Sequence, residues 1–182
     1  MAELVDALVS NTNGVTRAGS TPALGTKSIL KIGFFYKMND IKQDRYDFAY
    51  LKLALEWANL SYCKRKKVGA LIVKDRMIIS DGYNGSPSGF DNNCEDENGA
   101  THWYVLHAEA NAILKTAKSN HNCSGATLYL THSPCKECSK LIHQSGIKRL
   151  VYIDQYKDTS GLDFLKEAGI EIREVLKKQL HN

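Results

Sequence analysis

Residues 105–154 read VLHAEANAILKTAKSNHNCSGATLYLTHSPCKECSKLIHQSGIKRLVYID, and their alternation of patterns decides the fold. Val105–Lys118 has helical spacing, Ala126–Thr131 is a short β-branched and aromatic run, Pro134–Gln144 is helical again, and Lys148–Asp154 returns to a strand pattern. Strands that alternate with short helices predict a sheet with helices on its faces. Downstream, Leu162–Ala168 reads as a short helix and Ile170–Val175 as a strand, with the terminal LKKQLHN expected to be frayed and solvated.

Upstream, Phe48, Leu51, Leu55, Ala58 and Tyr62 step by three and four from Asp44 onward, one stripe of an amphipathic helix. Val68–Val73 and Met77–Ser80, joined at Lys74-Asp75, read as a β-hairpin. Gly82–Gly99 is rich in Gly, Asn, Asp, Ser and Pro and reads as a long loop, a length that usually carries function. The expected order is α-β-β-α-β-α-β-α-β, an α/β domain with a mixed five-stranded sheet. Residues 1–27 sustain no period, and residues 1–37 are expected to be a disordered tail ahead of a single domain over 38–182. The pattern ELVDALVS…GVTRAGS…PALGT resembles an upstream transfer-RNA gene read through as protein, which places the expected start at Met38.

The chain of 182 residues carries a net charge of only +4, too small for a nucleic-acid footprint, and no apolar run reaches membrane length. Neither a nucleic acid nor a membrane is therefore an expected partner. Five cysteines, two of them in a C-x-x-C, fit a reducing, cytoplasmic setting.

The chemistry sits at the starts of two helices. Cys135 and Cys138 are three apart in a first helical turn, so both sulfurs reach one ion, and the helix N-terminus favours their thiolates. Pro134 suits that first turn, where no backbone donor is needed. With His107 they make a three-ligand zinc site whose fourth position stays open, the arrangement of a catalytic site. Glu109, in the same first turn as His107, is placed to move protons. The set matches the H-x-E…P-C-x-x-C signature of zinc deaminases at every position. A C-x-x-C alone also serves structural zinc and redox pairs; the four residues together favour the enzyme.

The segments SYCKRKKVGALIV, ISDGYNGSPSGFDN, HAEANAIL, SPCKECSKLIHQSGIKRLVY and DQYKD resemble the deoxycytidylate (dCMP) deaminase family of the cytidine deaminase superfamily over about residues 45–175. The resemblance implies a three-layer α/β/α sandwich, with His107, Cys135 and Cys138 holding zinc and Glu109 as general acid/base. It also implies substrate contacts from Asn84 in the G-Y-N-G turn and from Tyr156. Arg65, Lys66 and Lys67 offer donors to a phosphate, Arg65 or Lys67 being favoured. It further implies a homo-oligomer, often a hexamer, with dCMP as substrate and dCTP and dTTP as regulators. In some relatives cysteines placed like Cys63 and Cys94 bind a second, structural zinc; Val105 stands where those relatives carry an acid ligand, which leaves His102, Glu95 or Glu97 to complete such a site, or Cys63 and Cys94 as two unrelated reduced cysteines. The 21 residues between Gly85 and His107 favour this family over tRNA adenosine deaminases. The competing readings are deamination of another cytosine or adenine nucleoside or of a tRNA base, and a non-catalytic zinc protein accessory to DNA uptake.

Overall fold

The computed structural model describes residues 26–180. Contacts divide the chain into two units, Met1–Asn39 and Asp40–Asn182. Within the first, only Thr26 onward is described, as helical backbone. That helix, α1, runs Thr26–Asn59, so it starts well before Asp44. No proline interrupts the stretch. The tail expected over 1–37 lies outside the described residues up to 25, and its remainder belongs to α1.

The second unit contains β1 Gly69–Lys74, β2 Met77–Tyr83, α2 Ala108–Thr116, β3 Thr127–His132, α3 Lys136–Gln144, β4 Arg149–Asp154, α4 Ser160–Glu167 and β5 Glu171–Glu174. The sheet order is β2-β1-β3-β4-β5. β1 is antiparallel to both β2 and β3, whereas β3, β4 and β5 run parallel. The mixed five-stranded sheet expected from the sequence is therefore present, with one strand more on the parallel side than on the hairpin side.

The pleat sorts residues into two cores. Leu71, Val73, Tyr129, Val151 and Ile153 pack with Leu51 and Ala54 of α1 on one face. Ala70, Ile72, Leu128, Leu130, Leu150 and Tyr152 pack on the other against Ala108, Ala112, Ile142, Leu162 and Leu165 of α2, α3 and α4. This is the three-layer α/β/α sandwich. Among the described residues no helix is long and apolar enough to cross a membrane.

Local details depart from the sequence reading. The hairpin turn is at Asp75-Arg76, not Lys74-Asp75, and both residues take positive φ (50° and 64°), as a two-residue turn matching the strand twist requires. The expected solvated C-terminus instead forms a 3-10 turn over Lys177–Leu180, and Leu180 is buried in the α1-side core. The α2 helix starts at Ala108 rather than Val105, because Leu106 bridges to Gly85 and Val105 packs against Cys63 and Cys94. The shift moves His107 to the helix N-cap.

Candidate active site

Two strand-to-helix connections converge to build the site. His107 caps α2 and Cys135 caps α3, both with extended backbone (φ −74°, ψ 156° and φ −74°, ψ 168°), and neither uses its side chain as a cap. Both side chains are thus released toward the space off the helix ends, where the unpaired N–H groups favour anionic ligands. Glu109 and Cys138 follow in the first turns and are buried. Close packing fixes α2 on the sheet: a Cβ at Gly82 would fall 2.7 Å from the Ala112 nitrogen and closer still to the Ala108 carbonyl. Ser80 Oγ donates to the Ala112 carbonyl at 2.6 Å, and Asn111 Nδ2 donates to the Tyr83 carbonyl at 2.7 Å.

His107 Nδ1 lies 3.3 Å from Cys138 Sγ and 3.6 Å from Cys135 Sγ. All three donor atoms fall within 4.8 Å of one another. A tetrahedral zinc with ordinary Zn–N and Zn–S bonds sets such ligands about 3.6 Å apart, so the spacing fits that ion. The donor chemistry fits as well. Hydrogen bonds from Cys138 and His107 draw the Cys135 thiol down to about 3, against burial, while the hydrogen bond to Cys135, with burial, pushes Cys138 up. The two sulfurs therefore share one proton, which a bound cation displaces. His107 is raised, first by its hydrogen bond to Cys135.

Glu109 is 4% exposed. Burial pushes its carboxyl up to about 7, with the Cys135 charge adding to the rise and its own backbone hydrogen bond and His107 opposing it. A carboxyl poised there both accepts and returns a proton near neutral pH.

The site opens into a cleft of about 710 Å³ that includes Asn84, Glu109, His132, Tyr156 and the basic residues Arg65, Lys66 and Lys157 among its lining. Of the sequence-predicted residues, Arg65, Lys66, Asn84, His107, Glu109, Cys135 and Tyr156 line this one cleft and Lys67 does not. Asn84 lies in the wall, and its amide is engaged with the chain: Oδ1 accepts from Val68 N and Nδ2 donates to the Lys66 carbonyl, each at 2.8 Å. One N–H and one lone pair remain for a ligand. Tyr156 lines the cleft with an exposed side chain, its backbone N donating to Ser133 Oγ at 2.7 Å.

Among the described residues, Cys63 and Cys94 join no donor cluster of the kind that His107, Cys135 and Cys138 form, against the second zinc expected near them. The two sulfurs are bonded to each other in a disulfide, and a disulfide sulfur offers no thiolate to a metal. Val105 packs against the bond in place of an acid ligand, and Glu95 is spent on the backbone N–H groups of Lys64 and Arg65. The sequence reading also missed His132, Ser133, Gln155 and Lys157 as cleft residues. Their position at the carboxyl ends of β3 and β4, where open α/β sheets bind ligands, was the signal available for finding them.

A profile of the cytidine and deoxycytidylate deaminase zinc-binding region matches residues 44–154. The deoxycytidylate deaminase of enterobacteria phage T4 is 38% identical over 174 residues, covering 72% of this chain and 90% of its own. The deoxycytidylate deaminase of Mycobacterium phage D29 is 41% identical over 121 residues, covering 59% and 93%. The crystal structure of a dCMP deaminase from cyanophage S-TIM5, in complex with dCMP and dUMP, superposes with a TM-score of 0.69 at 46% identity, covering 75% of this chain and 97% of that one. With the fold, the donor triad and the match over residues 44–154 in agreement, the chain belongs to the cytidine and deoxycytidylate deaminase family.

Proposed function

We propose that this protein is a zinc-dependent dCMP deaminase, hydrolysing dCMP to dUMP and ammonia and so supplying the precursor of thymidylate. The observation that carries the reading is the buried Glu109 carboxyl beside three metal-donor atoms at the floor of a nucleotide-sized cleft. His107, Cys135 and Cys138 would hold the ion. Bound zinc supplies Lewis acidity for a water nucleophile at the ring carbon that bears the amino group. Glu109 takes a proton from the attacking water and gives it to the ring nitrogen. It then carries the second proton to the amino nitrogen as the C–N bond breaks and ammonia leaves. Tyr156 and the free N–H of Asn84 face the substrate.

The reading extends to a homo-oligomer, a hexamer, with dCTP and dTTP as regulators. The reading includes the cytoplasmic setting expected from the sequence.

The test is ammonia release from dCMP, deoxycytidine, cytidine and adenosine, with and without dCTP. Release from dCMP well above that from deoxycytidine is expected; equal rates on the two, or none on dCMP, would overturn the assignment. Glu109→Gln should retain stoichiometric zinc and lose about 10²–10⁴-fold in turnover.

A further inference from the structure

Behind the donor triad, α4 closes on the turn that presents Cys135. The helix begins at Ser160, just after the cleft-lining residues Gln155, Tyr156 and Lys157, and its second residue, Gly161, is buried. A Cβ on Gly161 would fall 2.6 Å from Ser139 Oγ, 2.7 Å from the Pro134 carbonyl oxygen and 3.0 Å from the Cys135 carbonyl carbon. Gly161 is not among the positive-φ glycines, so space rather than backbone conformation calls for the missing side chain.

The atoms that Gly161 covers are those that fix Cys135. The Cys135 carbonyl accepts from Ser139 N at 2.9 Å and from Ser139 Oγ at 3.0 Å, and Ser139 is completely buried. The chain leading into α4 is tied down as well. Tyr156 N donates to Ser133 Oγ at 2.7 Å, and Ser160 N donates to Asp158 Oδ1 at 3.0 Å. α4 therefore has little freedom to back away from an added methyl. Two of the three atoms such a methyl would meet are backbone, which cannot rotate aside, so the Pro134–Cys135 turn must move. Cys135 is the N-cap of α3, and displacing its main chain carries the sulfur with it.

We infer that Gly161 is a positioning residue for the metal centre: its bare Cα lets α4 close on the Pro134–Cys135 turn and so holds the Cys135 sulfur beside the other two donors. The inference rests on the reading of His107, Cys135 and Cys138 as zinc ligands, and it places a determinant of that site on a helix that contributes no ligand.

Zinc affinity, by competition with a chromophoric chelator, and the absorption spectrum of the cobalt-loaded protein are compared for the unaltered chain, Gly161→Ala and Leu165→Val. The last loosens α4 through its core contact instead. Gly161→Ala should weaken zinc binding about 10- to 100-fold, the usual loss when a group that orients a metal ligand is disturbed. Its cobalt spectrum should lose thiolate-to-metal charge-transfer intensity as Cys135 withdraws. Leu165→Val should lower the urea midpoint yet leave zinc affinity and the cobalt spectrum as they are. Gly161→Ala combined with Ser139→Ala, which removes the nearest clash, keeps the test open if Gly161→Ala alone does not fold. Zinc should still bind weakly there, since the contacts with Pro134 and Cys135 remain. Unaltered zinc affinity in Gly161→Ala, full recovery in the double variant, or an equal loss in Leu165→Val overturns the role of Gly161 and leaves the zinc site standing. An unaltered chain that holds no stoichiometric zinc overturns the zinc site itself.

Discussion

Arg149 grips Asp47 with two parallel hydrogen bonds, Nη1 to Oδ1 and Nη2 to Oδ2, each 2.8 Å long. The pair ties α1 to the start of β4 across 102 residues of sequence, and Arg173 of β5 adds a third bond to Oδ2 at 2.7 Å. Tyr129 Oη and Gln43 Nε2 both donate to Oδ1. The carboxylate is completely buried, so each of these bonds replaces lost water.

Asp47→Ala should therefore cost about 3–5 kcal/mol, because it removes the bidentate partner of the largely buried Arg149 guanidinium and leaves it only the exposed Glu171. Urea denaturation at neutral pH measures it. Asp47→Asn, which keeps part of the hydrogen bonding, should cost less.

The same carboxylate sets an acid limit. Burial pushes Asp47 up, but hydrogen bonds from Arg149, Gln43 and Tyr129 outweigh it and hold the group below the ordinary 3.8. A folded-state value below the unfolded one contributes stability that is fully present above the unfolded value and is lost as pH falls through the folded one. The urea midpoint should hold steady on this account above about pH 5 and drop below about pH 4. In Asp47→Asn the drop should be shallower; an identical acid slope in both proteins would sink the argument.

Gly82→Ala should damage the site from a distance. The added methyl meets the backbone of α2 at Ala108 and Ala112, next to His107 and Glu109. Overpacking of this kind costs about 1–3 kcal/mol, and backbone against backbone leaves nothing to rotate aside. The expected result is a lower urea midpoint together with weakened zinc binding. A fall in stability with unchanged zinc affinity would show that α2 does not transmit the displacement to His107.

Much of this arrangement could be read from the chain, and the reason differs by residue. That His107, Glu109, Cys135 and Cys138 come together was legible, because first-turn spacing at two helix starts is displayed directly in sequence. The sheet was legible because Leu71, Tyr129 and Val151 alternate with Ala70, Leu128 and Leu150 at period two. Pairings over long separations were not. Nothing local marks Asp47 as the partner of Arg149, Leu180 as a core residue, or Cys63 and Cys94 as bonded. The Asp75-Arg76 turn was misplaced by one residue because neither is a glycine, so composition gave no sign of its positive φ.

The Cys63–Cys94 disulfide closes a separation of 31 residues between the basic run and the long loop. On the chain-entropy estimate such a closure contributes about 3–4 kcal/mol. Cys63→Ser with Cys94→Ser should lower the urea midpoint accordingly. Intact mass after alkylation of the denatured, unreduced protein should show three labelled cysteines, and five after reduction. Five labels before reduction would show that the pair is a dithiol in solution.

In protein stripped of metal, the remaining cysteines should separate by reactivity. Cys135 is half-exposed and its thiol is drawn down to about 3, whereas Cys138 is buried and pushed up, and Cys123 is buried. The thiolate is the reacting form, so iodoacetamide should label Cys135 first and the other two slowly. One equivalent of zinc should protect Cys135, because a sulfur engaged with a metal is withdrawn as a nucleophile and the shared proton is expelled. His107→Ala should weaken that protection without slowing the labelling to the rate of an ordinary thiol, since the Cys138 hydrogen bond to Cys135 persists. Peptide mapping of the labelled site, with and without zinc, decides the matter. Equal labelling of Cys135 and Cys138, or labelling indifferent to zinc, would exclude the two sulfurs as a common ligand pair.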